Sequence, residues 1–237
     1  MNKFIFDVDG TLTPSRQTIA PEFREFFLQF IQDNKVWLVT GSDYSKTLEQ
    51  LGTDICESVV KVYNCSGNDV YFKGSRVHCK KFEAPKELYD LMNGWLQTSS
   101  FPLRTGNHIE ERMGTINFSI VGRNATLGER KLYVKHDLEH RERESIAFQI
   151  NMEFSNITAT VGGETGIDIY AKGADKSQIL EDFNKNDKIY FFGDKLEQGG
   201  NDWPLAVKLN DKRCFNVKDW CDTMERLQYF QEAKIAA

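Results

Sequence analysis

The chain has 237 residues, 40% apolar and 27% charged, with a formal net charge of −5. That length suits one large domain or a core carrying a smaller insertion, and the acidic balance argues against a broad basic face for nucleic acid or an anionic membrane. No apolar run approaches the roughly 20 residues that span a bilayer, no secretory leader is expected, and scattered cysteines without a C-x-x-C point to thiols in a reducing cytoplasm.

Phe4-Ile5-Phe6 predicts a short buried strand ending at an acidic cluster, with a turn at Asp9-Gly10-Thr11. A helix is predicted over 21–31, with Pro21 in its first turn. Phe23, Phe26, Phe27, Phe30 and Ile31 fall on one face of it. Residues 36–39 read as a second buried strand ending at Thr40-Gly41-Ser42. A helix over 45–51 and a strand over 59–63 follow. This alternation predicts parallel βαβ units, whose ligands collect at the carboxyl ends of the strands.

The middle of the chain changes character. Helices are predicted over 85–96 and 137–154, the second long and charged, and strands over 115–121, 157–161 and 166–170. Helices on an antiparallel sheet fit this pattern, so 82–172 reads as an inserted domain and 1–81 with 173–237 as the core. A helix over 176–183, a strand over 188–192 ending at Gly193-Asp194, and a last helix over 218–231 complete the core.

Asp7 and Asp9, two apart at a strand end, point to the same side. One such carboxylate can attack phosphorus while the other moves a proton. With a third acid such as Asp194 they can also hold a hard cation through oxygen. Asp-Gly alone is a common turn dipeptide. The whole run D-V-D-G-T-L-T, however, resembles the signature of the haloacid-dehalogenase-like phosphotransferases. The other motifs follow in order. Thr40 closes a buried strand and can offer its hydroxyl to a phosphoryl oxygen, with Ser42 as its rival. Lys176, after Gly173-Ala174-Asp175, matches the lysine that steadies the phosphoaspartate. Phe191-Phe192-Gly193-Asp194 and Gly199-Gly200-Asn201-Asp202 resemble the acidic motif that completes the metal site. Asn201 and Asp202 are expected behind the ligands, Asp202 orienting Lys176 or the metal's waters.

Over essentially its whole length the chain resembles the eukaryotic-type phosphomannomutases. The resemblance rests on residues 7–16, Thr40-Gly41-Ser42-Asp43-Tyr44-Ser45-Lys46, Glu49-Gln50-Leu51-Gly52, Ile109-Glu110-Glu111-Arg112, Val121-Gly122-Arg123 and the lysine and acidic motifs above. It implies a Rossmann-like core with an α/β cap, joined as a homodimer through the cap. The implied reaction interconverts mannose 6-phosphate and mannose 1-phosphate and feeds GDP-mannose synthesis in the cytoplasm. It also implies Mg²⁺ held by Asp7, Asp194 and the Asp9 main-chain carbonyl, a hexose 1,6-bisphosphate activator, and cap closure that excludes water. Arg16 matches the core arginine that faces the sugar phosphate. Arg112, Arg123 and Arg130 match the cap arginines that grip the distal phosphate, which suits arginine's planar fork. Asp168 matches an acid that accepts from sugar hydroxyls.

The sequence departs from this family at several points. Gly166 replaces a serine, Cys65-Ser66-Gly67 replaces Glu-Asn-Gly, and Thr40 stands where many members have glycine. Lys208 replaces an acid near an auxiliary cation, so no second metal site is expected there. Two rival readings follow: a sugar-phosphate phosphatase using Asp7 with water as acceptor, and a non-catalytic sugar-phosphate binding protein, which predicts a damaged nucleophile motif. His136 and His140, four apart, can share a helix face as a metal pair, but with dense charge around them and no third ligand they read as a solvated face.

Overall fold

The computed structural model describes residues 2–209 and 212–235. In chain order the first elements are β1 (Asn2–Phe6), α1 (Pro21–Asp33), β2 (Lys35–Val39), α2 (Tyr44–Leu51), α3 (Thr53–Ser58), β3 (Lys61–Asn64), β4 (Asp69–Phe72) and β5 (Ser75–Cys79). Next come α4 (Lys86–Thr98), β6 (Ile109–Arg112), β7 (Thr115–Phe118), α5 (Leu127–His140), α6 (Glu142–Glu153), β8 (Ile157–Gly162) and β9 (Gly166–Ala171). After a 3₁₀ helix at Lys176–Asp182, the chain ends with β10 (Lys188–Gly193), α7 (Trp203–Leu209), β11 (Cys214–Asn216) and α8 (Trp220–Ile235).

Two compact units result, 1–79 with 175–237, and 80–174. The first holds a seven-stranded sheet in the order β11-β10-β1-β2-β3-β4-β5. Its strands from β11 to β3 are parallel, and β4 and β5 add an antiparallel hairpin at one edge. Phe6 lies level with Phe192 on one side and Leu38 on the other. The chain therefore leaves the sheet at Asp7, Thr40 and Asp194 on the same edge. Alternation along β1 sends Phe4 and Phe6 to one face and Ile5 to the other. On the first face Phe6 stacks on Phe192 at 4.9 Å and meets Phe27 of α1 edge-on at 5.2 Å. All three rings are buried, each contributing about 2 kcal/mol. Ile5 packs with Trp37, Val39, Phe191 and Leu205 on the other face.

The second unit is an antiparallel sheet in the order β6-β7-β9-β8. Leu88 and Met92 of α4, Tyr133 of α5 and Ile146 and Ile150 of α6 cluster with Phe118, Ile167 and Ile169 of the sheet.

Two predicted elements change. The helix expected over 137–154 is two helices meeting at Arg141, whose φ of 50° is left-handed. The cause is Asp137: its buried carboxylate accepts from the backbone N and Nε of Arg143, both at 2.8 Å, and so caps the start of α6. Helix α5 begins earlier, at a capping box of Thr126 and Glu129. The helix expected over 176–183 is 3₁₀, started by the Asp175 side chain, which accepts from the Ser177 N–H. The strand expected over 115–121 ends at Phe118, and β6, α3, the β4–β5 hairpin, α7 and β11 went unanticipated.

Candidate active site

The end of β1 delivers Asp7 into the first unit's interior, where it is 2% exposed. Its backbone N–H donates to the Phe192 carbonyl at 2.9 Å. Lys176 Nζ donates to Asp7 Oδ1 at 2.5 Å and to Asp202 Oδ1 at 2.7 Å, and is itself 1% exposed. The Thr11 hydroxyl donates to Asp7 Oδ2 at 3.3 Å. Asp202 Oδ2 accepts from the Lys195 N–H at 3.2 Å. At Gly10, with φ of 84°, an added Cβ would lie 2.5 Å from Asp194 Oδ2, so the loop after Asp7 reaches that carboxylate only as glycine.

Asp7, Asp194 and Asp202 each bring an oxygen within 4.8 Å of the other two. Three carboxylates against the one ammonium of Lys176 leave two negative charges, which a divalent cation with oxygen preference offsets. The electrostatics carry the same signature. Burial pushes the Asp7 carboxyl up to about 7 despite the pull of Lys176, and Asp202 adds to the rise. Burial also raises Asp194, again with Asp202 contributing. Burial alone would lower Lys176, but Asp202 and Asp7 hold its ammonium above the ordinary range. The residues thus fit a hard divalent ion. Asp202, expected behind the ligands where it orients Lys176, bonds that ammonium and also brings a carboxylate oxygen close to the other two acids.

Asp9 sits apart from that cluster. Its Oδ1 accepts from the Arg16 N–H at 2.7 Å and from Gln50 Nε2 at 3.0 Å, and its Oδ2 from the Ser42 hydroxyl at 3.3 Å. The carboxylate is therefore oriented from three directions. Gln50 is buried, and its bond to Asp9 was not anticipated: a neutral amide 41 positions away carries no local signal of that role. The Thr40–Ser42 rivalry resolves by position. Thr40 is buried and its Oγ1 accepts from the Ser42 N–H at 3.1 Å, while the Ser42 hydroxyl reaches Asp9. Arg16 contributes its main chain, at φ 61°, and its side chain is exposed. Asn201 is exposed.

In the second unit, Glu110 gathers two of the expected arginines. Its Oε2 accepts from Arg112 Nη2 at 2.5 Å and forms an ion pair with Arg123 Nε at 2.9 Å. Arg130 pairs separately with Glu164, at 3.0 Å. Asp168 on β9 accepts from Asn117 Nδ2 of β7 at 2.6 Å. A Cβ on Gly166 would lie 2.7 Å from that same Nδ2. Asn117 therefore occupies the space a side chain at 166 would need; beside it Thr165 is buried and Glu164 pairs with Arg130.

The family model described as eukaryotic phosphomannomutase matches residues 23–232. The phosphomannomutase of Saccharomyces cerevisiae is 34% identical over 213 residues, covering 86% of this chain and 84% of that one. That of Spinacia oleracea is 34% identical over 212 residues, covering 85% and 84%. Among solved structures, the truncated IMP-bound IMP-nucleotidase of Plasmodium falciparum superposes with a TM-score of 0.65 at 15% identity, over 98% of this chain and 68% of that one. A haloacid dehalogenase-like hydrolase from Bacteroides thetaiotaomicron gives 0.58 at 13%, over 95% and 99%. Those two likenesses establish the fold. With a family match over most of its length, the chain belongs to the eukaryotic phosphomannomutases, on a haloacid-dehalogenase-like fold.

Proposed function

We propose that this enzyme is a phosphomannomutase that moves a phosphoryl group between the two ends of mannose, through an aspartyl-phosphate at Asp7 and a hexose bisphosphate. The observation that carries this reading is the pair of differently held carboxylates, Asp7 against Lys176 and Asp9 against Gln50, in a chain of this family. An Asp7 carboxylate oxygen forms the new O–P bond as the P–O bond to the sugar breaks. Asp9 gives its proton to the leaving sugar oxygen and later takes one from the hydroxyl that receives the phosphoryl group back. Lys176 offsets the charge on the phosphoaspartate, and Ser42 and Gln50 keep Asp9 aimed. Mg²⁺ dependence is general to the family. The Asp7 and Asp194 carboxylates and the Asp9 main-chain carbonyl would hold Mg²⁺, which would supply charge stabilisation to the transferring oxygens.

Arg112, Arg123 and Arg130, with Arg16, take the phosphate at the other end of the sugar, and Asp168 takes its hydroxyls. A hexose 1,6-bisphosphate primes the cycle. The protein acts in the cytoplasm, where its product feeds GDP-mannose synthesis; among the described residues no helix is long and apolar enough to cross a membrane. It works as a homodimer through the cap, a reading supported by exposed Leu132, Leu138, Phe148 and Met152 on α5 and α6. The test is to supply mannose 1-phosphate with a trace of hexose 1,6-bisphosphate. Mannose 6-phosphate is the expected product. Inorganic phosphate alone would replace this reading with a phosphatase, the outcome that Thr40 at the end of β2 would then explain.

A further inference from the structure

The Cys65-Ser66-Gly67 turn, which stands where the family has Glu-Asn-Gly, folds in an uncommon way. Its three residues have φ of 49°, 59° and 97° in succession. Residues with side chains rarely adopt that left-handed region, and those held there collect at functional sites. The turn's hydrogen bonds show what it holds. The Ser66 N–H donates to the Thr40 carbonyl at 2.8 Å and the Cys65 N–H to the Ser42 carbonyl at 2.9 Å. The turn therefore grips the loop that ends β2, whose Ser42 hydroxyl reaches Asp9. The same bend leaves the Ser66 carbonyl facing the 3₁₀ helix that begins at Lys176, where Gln178 Nε2 donates to it at 2.7 Å.

Gln178 lies two residues beyond Lys176, so its amide ties the main chain that carries the lysine to the main chain that carries Thr40 and Ser42. Packing supports this junction from one side. A Cβ on Gly67 would lie 3.1 Å from Gln178 Cγ and from Ile179 Cγ2, so the turn meets the helix this closely as glycine. On the other side a cavity of about 570 Å³ opens, with Tyr63, Gly67, Gln178 and Ile179 on its wall. Side chains that border a void lack the contacts that would fix them, which leaves the hydrogen bond to set the register. In the free enzyme Lys176 Nζ is also held by Asp7 and Asp202. Once an Asp7 oxygen carries the phosphoryl group, that pairing changes, and the lysine depends more on Asp202 and on its own main chain.

We propose that Gln178 is a positioning residue, whose bond to the Ser66 carbonyl sets Lys176 in register with the Thr40–Ser42 loop for phosphoryl transfer. The inference rests on the roles given above to Asp7, Asp9 and Lys176. Because the distal phosphate falls to the cap arginines, the tie governs the transfer step and leaves sugar-phosphate binding unchanged.

The test is Gln178→Met in the full chain, which keeps the length of the side chain and removes its donor. Mannose 1-phosphate is supplied with Mg²⁺ and a trace of hexose 1,6-bisphosphate, and turnover is counted as mannose 6-phosphate plus inorganic phosphate. Counting both separates the two readings: a phosphatase would change the product, and the effect of Gln178 would still be read on its rate. Expected is a fall in kcat of about tenfold, with KM and the urea midpoint nearly unchanged. Gln178→Glu, which sets a carboxylate against the Ser66 carbonyl, should fall at least as far. Glu181→Gln, at an exposed position on the same 3₁₀ helix, should behave as the wild type. In a Ser42→Ala background the further loss from Gln178→Met should shrink to about twofold, because both changes loosen one loop. A kcat within about twofold of the wild type in both Gln178 variants, a rise in KM in place of the fall in kcat, or fully additive losses with Ser42→Ala would each overturn the proposal. A wild type that forms neither product would overturn it together with the reading of Asp7.

Discussion

Lys176 is 1% exposed and bonds two carboxylates that are 3% and 0% exposed, whereas Arg130 of the cap meets Glu164, whose side chain is 69% exposed. The core thus concentrates buried charge around one ammonium, whereas the cap arginines expected to meet substrate, Arg112, Arg123 and Arg130, lie in more exposed pairs. Buried charge is costly to leave without a partner, while exposed pairs contribute about 0–1 kcal/mol. The contrast teaches that substitutions around Lys176 should change stability and chemistry together, and substitutions at Arg112, Arg123 or Arg130 should change substrate handling with the fold left intact.

The largest effect should come from Asp7→Asn. Removing the proposed nucleophile is expected to cost at least about 10⁴-fold in turnover, read in the coupled mutase assay, with an unchanged circular dichroism spectrum. A variant retaining turnover would detach the chemistry from β1 altogether. Lys176→Met should lose both properties. It leaves Asp7 and Asp202 buried against each other without the ammonium, so urea unfolding should show a loss of about 3–5 kcal/mol, and turnover should become undetectable. A folded, active Lys176→Met would break the comparison on its core side.

Arg123→Ala probes the other side. It removes a guanidinium 2.9 Å from Glu110 and 22% exposed. Expected are a rise in KM for the sugar phosphate of about 10–100-fold, from one or two lost charge-assisted bonds, and a stability change within about 1 kcal/mol. Unfolding as severe as that of Lys176→Met would mean that Arg123 is a structural post instead.

The same contrast explains what was legible beforehand. Short apolar strands that run into Asp7, Thr40 and Asp194 announce themselves, because burial on both faces demands continuous apolar residues and the polar groups of the candidate site follow at once. Gln50 and Glu110 were not legible as supports. Each acts through partners that only folding brings together, Asp9 for the first and Arg112 with Arg123 for the second. The break at Arg141 was hidden because Asp137 looks like one more charge on a helix until its burial against Arg143 is seen. Gly166 looked like a lost ligand; its close approach to Asn117 makes it part of the packing that lets Asn117 hold Asp168.

The smallest expected effect bears most directly on how the cap uses its charge. Glu164 holds Arg130 in the absence of substrate, and a phosphate arriving there must take the guanidinium over. The carboxylate is then a competitor whose grip is worth no more than about 1 kcal/mol, given its exposure. Glu164→Gln should therefore lower KM for the sugar phosphate by up to about fivefold, with kcat and the unfolding midpoint nearly unchanged. Arg130→Ala should move KM the other way. If Glu164→Gln instead raises KM, the carboxylate aims Arg130 rather than competing for it. The surface pairs of the cap would then be organised for geometry, as the buried pairs of the core are, and the difference between the two regions would be one of exposure alone.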